Sequence, residues 1–129
     1  MRTLELINFI KGRVSYVYYP NRFPENSIDD CAIVRIYSGE GTDEWIGKRV
    51  PHFQVLVRGA ETDAGGTEEK AYEIFESLVN QKHVDIGSDH IVQIVAMGSA
   101  PFFIGNDENS RPIYSMNFRA IVKPKIEKE

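Results

Sequence analysis

The chain has 129 residues, 42% of them apolar and 11% aromatic, a formal net charge of −4 and one cysteine. That length supports one domain with its own core but not two, and the apolar content excludes a disordered chain. The acidic balance gives no general attraction to phosphate backbones. A lone cysteine closes no intrachain disulfide or thiolate metal cluster, and no run approaches the roughly 18 consecutive apolar residues of a membrane span.

The opening "MRTLELINFIKG" lacks the apolar core and small-residue cleavage site of a signal peptide. Leu4, Ile7, Phe9 and Ile10 instead suggest a short amphipathic helix ending at Gly12. In "VSYVYYP", Val14, Tyr16 and Tyr18 share one side of a weak strand closed by Pro20, and "NRFPENSIDD" reads as loop. "CAIVRIY", residues 31–37, is β-branched and almost wholly apolar, which suits a central strand with Cys31 as a small buried hydrophobe. The polar segment Ser38–His52 follows, fifteen residues long with the single tryptophan, Trp45. A connection of that length is commonly mobile or functional.

"FQVLVRG", 53–59, is the next strand, and "AETDAGG" reads as a flexible turn. Ala71, Tyr72, Ile74, Phe75, Leu78 and Val79 then recur at helical spacing. Thr67 is the expected N-cap, with Glu68 and Glu69 in the first turn and Lys82 and His83 near the end, matching the macrodipole. "DHIVQIVAMG" and "RPIYSMNFRAIVKP" are two further strands. In the last, Tyr114, Met116, Phe118, Ala120 and Val122 share a face opposite Ser115, Asn117 and Arg119, the alternation of a half-buried strand. The expected architecture is α+β: a two-layer sandwich with a mainly antiparallel or mixed sheet of four to five strands and two helices on one face. It forms one domain over residues 1–123, followed by a charged tail at 124–129.

Reactive chemistry is not where the residues point. His52, His83 and His90 show no metal-ligand spacing, so no metal and no cofactor is expected. "SGEGTDE" lacks a phosphate-loop pattern, since no Ser or Thr follows Lys48. The glutamates after "DAGG" would repel an anion, and "MGSAP" is no nucleophile elbow around Ser99. Glu61 and Asp63 have no recognisable pocket around them, and "GNDEN" fails the calcium-loop pattern but suits a turn. Arg58, Arg111, Arg119 and the tail lysines could form at most a weak stacking surface for nucleic acid; Arg58 and Arg119 read better as strand residues facing solvent or pairing with carboxylates. A small metal-independent enzyme or a weak nucleic-acid-binding domain is the alternative of another class.

Three pieces in order, "FQVLVRG", "KAYEIFESLV" and "SAPFFIGNDENSRPIYSMNFRAIV", resemble a minor capsid or tail terminator family of tailed phages and prophages of Gram-positive bacteria. The matching motifs fall on Val57–Gly59, Ala71–Tyr72, Pro101–Arg111 and Asn117–Phe118. The resemblance implies a non-enzymatic morphogenesis protein of small α+β fold, acting in the host cytoplasm and then in the virion. Such a protein caps the tail tube as a ring, typically hexameric, ends its polymerisation and offers the surface that joins tail to head; a neighbouring head-completion role is the alternative. Its partners would be further copies of itself, the tail tube protein and a connector protein, with free subunits monomeric where closure needs the tube as template. The expected assembly surfaces are two loops. The first holds Trp45, Lys48 and Arg49; the second holds Phe102, Phe103, Asn106, Asp107, Glu108 and Arg111.

Overall fold

The computed structural model describes residues 1–124, so the expected charged tail lies outside the described residues from Lys125 onward. The elements run α1 (Thr3–Arg13), β1 (Tyr18–Pro20), β2 (Cys31–Glu40), β3 (Val50–Arg58), α2 (Ala64–Leu78), β4 (Lys82–Ile86), β5 (Asp89–Ala96), β6 (Phe102–Asn106) and β7 (Pro112–Val122). The strand order is β1-β2-β3-β7-β5-β4, with β6 added to β7. Among the described residues only β1 and β2 run parallel. The α+β class and mixed sheet agree with the sequence. The expected four to five strands and two-layer sandwich do not: the described residues form seven strands, curled into a half-barrel.

The curl has local causes. Register shifts between Tyr37 and Glu40, Ile91 and Gln93, and Phe103 and Gly105 mark bulges, which bend the bulged strand and increase its twist. At the first of these Gly39 has φ +68, and a Cβ there would lie 2.3 Å from the Val50 carbonyl oxygen. Only glycine meets both demands.

β7 organises the sheet. β3 follows one of its edges, pairing His52 with Arg119 and Arg58 with Ile113. β6 and β5 share the other edge, with Phe102 opposite Ser115 and Ala96 opposite Phe118. β5 and β6 thus form one long antiparallel partner of β7, interrupted by "MGSAP". The expected buried face of β7 is observed: Tyr114, Met116, Phe118, Ala120 and Val122 all lie in the core, where Phe118 stacks on Phe53 at 5.1 Å and meets Phe75 of α2 at 5.7 Å.

Both helices fill the same side of the sheet. α1 buries Leu6, Ile7 and Ile10, whereas Leu4, expected on the apolar face, is exposed. Glu5 accepts the Arg2 backbone N–H at 2.8 Å, which fixes the first turn. α2 starts earlier than expected. Asp63, not Thr67, caps it, accepting the Gly66 N–H at 3.0 Å, so "AGG" is helical rather than a flexible turn. Thr67 is instead buried, donating to the Asp63 carbonyl at 2.6 Å and facing Gly59, where a Cβ would come within 1.7 Å of its Oγ1.

The helix also ends earlier, at Leu78. Asn80 takes φ +57, its N–H reaches the Ile94 carbonyl at 3.1 Å, and Lys82 and His83 pass into β4. The sheet thereby competes successfully for residues whose charge suited a helix end. Cys31 is buried at the start of β2, as expected.

Candidate assembly surface

The fifteen-residue loop is shorter than expected, because strands take its two ends. β2 extends to Glu40 and β3 begins at Val50, leaving a nine-residue tip from Gly41 to Arg49. Asp43 builds the tip. Its Oδ1 accepts the N–H groups of Trp45 and Ile46, each at 2.9 Å, and its backbone exchanges hydrogen bonds with Gly47 and Lys48. The Ile46 and Trp45 N–H bonds hold the Asp43 carboxyl below its ordinary range. Trp45 is left 87% exposed and Ile46 60% exposed.

At the base of the tip, the Arg49 carbonyl accepts the Val122 N–H at 3.0 Å, and its guanidinium meets Asp89 at 3.0 Å. Asp89 is buried and also pairs with the Met1 amino group. Burial pushes its pKa up, but the Met1 amine and Arg49 outweigh burial and bring it below the usual carboxylate range. Arg49 therefore anchors the tip, while Lys48 is exposed on it.

The second predicted surface lies at the other end of β7. Phe102 and Phe103, expected in a loop, are in the strand β6, and they are 53% and 50% exposed; Ile104 beside them is 49% exposed. Phe103 rests against Tyr114 at 5.6 Å. The polar run after them is a braced turn. Asp107 accepts the N–H groups of Asn109 at 2.9 Å and Arg111 at 3.0 Å, and Nε of Arg111 at 2.8 Å. Burial works against the Asp107 carboxylate, but those backbone N–H groups and the Arg111 guanidinium win and lower its pKa. Arg111 also reaches Asp29 at 3.3 Å. Asp107 and Arg111 thus make internal contacts, whereas Asn106 and Glu108 point outward.

Arg58 corrects the solvent-facing reading. It is buried, donates to Ser27 Oγ at 2.9 Å and to the Ile28 and Asp29 carbonyls at 2.7 and 3.3 Å, and stacks on Phe23 at 4.5 Å. With NH1 4.0 Å from Asp107, it ties the 21–30 loop to the β6–β7 turn. Arg119 does face outward, 3.4 Å from Glu40. On the sheet face away from the helices, Arg35 donates to Gln54 at 2.7 Å, Gln54 to Ser115 at 2.9 Å and Tyr37 to Asn117 at 3.2 Å. This is a shallow polar shelf rather than an enclosed pocket.

Sequence reasoning missed Ile46 and Ile104, and it missed β6 as a strand. "PFFIGN" carries a consecutive apolar run whose exposure on both faces resembles no alternation. Among the described residues, no group of three or more His, Cys, Asp and Glu side chains is arranged to hold a metal ion, and no helix is long and apolar enough to cross a membrane.

With the two ends of β7 described, comparison with known proteins is informative. The family model for the bacteriophage tail terminator protein matches residues 7–124. The chain belongs to that family. A chain in the virion of a native gene transfer agent particle has a similar fold, with a TM-score of 0.69 and 13% identity over 88% of this chain and 83% of that one. No curated protein matches. Membership in the tail terminator family makes this a structural protein of tail completion and head–tail joining, not an enzyme.

Proposed function

We propose that this tail terminator caps the end of the tail tube as a ring of identical subunits, stops further addition of tube protein and presents the surface that a head-completion or connector protein joins. The family match over residues 7–124 carries the reading. Two features of the molecule support it. A ring needs two different surfaces on each subunit, and exposed apolar side chains stand at both ends of β7, at Trp45 and Ile46 and at Phe102, Phe103 and Ile104. Each group lies on a hydrogen-bonded frame, so little ordering is required on contact. Lys48, Asn106 and Glu108 are polar members of the same surfaces; Arg49, Asp107 and Arg111 hold them in shape.

The protein would act in the bacterial cytoplasm during assembly and remain in the virion at the head–tail junction, and residues 1–123 would work as one unit. Electron microscopy of particles made without the gene tests this. Overlong tails with unattached heads are expected. Normal virions would overturn the capping role, and tails of normal length beside unfilled or leaking heads would move the protein to the head-completion step.

A further inference from the structure

Two apolar patches remain uncovered in the single subunit, and they cannot cover each other. Trp45 and Ile46 project beyond Arg49, which pairs with Val122 at the C-terminal end of β7. Phe103 pairs with Tyr114 near the N-terminal end. Eight residue-to-residue steps of extended strand separate Tyr114 from Val122, about 27 Å. The tip lies further out still.

The two patches differ in form. The first is a knob, two side chains on a turn fixed by Asp43. The second is an edge strand, since β6 hydrogen-bonds to β7 on one side and pairs with no other strand among the described residues. Exposed edges are normally blunted by charge, proline or brevity. β4 carries Lys82, His83 and Asp85, and β1 has three residues ending in Pro20. β6 reads Phe-Phe-Ile-Gly-Asn, with no charge at all. Left bare, such a strand is an aggregation hazard, which is expected only where something covers it.

We infer that the Trp45–Ile46 knob of one subunit seats on the Phe102–Ile104 strand of the next copy, so that successive subunits contact head to tail. This rests on the assembly reading above and assigns which surfaces meet. The two patches match in size: from the exposed fractions, each presents on the order of 300 Å² of apolar surface. Because they lie at opposite ends of one strand, a knob-to-strand contact leaves the partner's own knob free for a third subunit, the heterologous arrangement that propagates and closes. The joint area is about 600 Å², half of the ~1,200 Å² at which specific pairs become stable. One such contact does not hold a dimer in solution, so the contact forms durably only where closure or the tube supplies the rest.

Cross-linking of assembled tails tests the pairing. A chain carrying both Trp45→Cys and Phe103→Cys, supplied to a phage lacking the gene, is expected to give a ladder of linked dimers, trimers and higher species in purified tails under mild oxidation. Neither single variant is expected to link to itself; the buried Cys31 stays silent. A dimer from either single variant would mean like-to-like contact and overturn the proposal. So would capped tails from the double variant without a ladder, a result that leaves the capping role standing. If the double variant is not incorporated, Ile46→Asp decides: a chain that melts normally yet is excluded from tails supports the contact, and full incorporation overturns it. The capping role fails separately, through normal virions in the absence of the gene.

Discussion

Arg58 donates to the backbone carbonyl of Ile28 at 2.7 Å, a strand side chain supplying the hydrogen bonds that an otherwise irregular loop cannot make with itself. The contact joins the middle of the 21–30 loop to the sheet, and Arg58 also reaches toward Asp107 on the β6–β7 turn. Arg58→Met keeps the apolar stem but strands the Ile28 and Asp29 carbonyls. The expected cost is about 1–3 kcal/mol, measured as a lower urea midpoint at unchanged slope. Faster proteolysis between Asn21 and Asp30 should accompany it.

Gly59 and Thr67 are in closer contact than any Cβ at residue 59 allows. Gly59→Ala forces β3 and α2 apart, with an expected loss of about 1–3 kcal/mol from overpacking. Thr67→Ala in the same chain removes Oγ1, the atom in severest overlap, and leaves the residue 67 Cβ at 2.9 Å. Thermal melts should show the double variant less destabilised than the sum of the singles, a coupling that independent sites do not give.

The cap of α2 separates two readings of one helix start. Asp63→Ala removes the acceptor for Gly66 N–H and is expected to cost about 1 kcal/mol. Glu68 and Glu69 lie beyond the first turn that begins at Ala64, so Glu68→Gln and Glu69→Gln should change stability by far less. Equal losses from all three substitutions would return the cap to Thr67.

Acid should loosen both ends of β7. Asp107 and Asp89 have pKa values below the ordinary 3.8 in the folded chain. A carboxylate depressed by folding stabilises above its unfolded pKa, and that contribution is lost as pH falls through the folded value. Stability should therefore be constant in these two groups above about pH 5 and decline below about pH 4. Asp107→Asn should flatten part of that decline in urea titrations run at successive pH values, and lower stability at neutral pH.

Burial raises the Cys31 thiol pKa above its ordinary value, with Arg58 pulling the other way. Thiolate is the reactive form, so a disulfide reagent should label native protein slowly and urea-unfolded protein at once. Rapid labelling of the native chain would mean that β2 opens at its first residue.

Some of this molecule is written in short-range pattern. The strands around Cys31–Tyr37, Phe53–Arg58, the "DHIVQIVA" run and Pro112–Val122 were legible because each alternates or is continuously apolar, and the face of α2 because Ala71, Ile74, Phe75 and Leu78 repeat at helical spacing. The lone cysteine, the acidic balance and the missing catalytic spacings limit the chemistry from sequence alone. The ordered motifs from Val57 to Phe118 carried the family, Trp45 stood out as an apolar residue in a polar segment, and Phe102 and Phe103 as an apolar stretch that breaks into a polar loop.

What tertiary structure decided depends on partners far away in sequence. β4 exists because β5 offers it a ladder, against the helical appeal of Lys82 and His83. Asp63 displaces Thr67 as cap because Gly59 leaves a socket that Thr67 fills. Arg58 is buried because the loop carbonyls and Asp107 surround its charge. The curl comes from bulges, each an extra residue against a partner strand that no local window contains. The same holds for the two exposed patches: each was visible as a string of residues, but their separation along β7 is a property of pairing, which sequence periodicity does not encode.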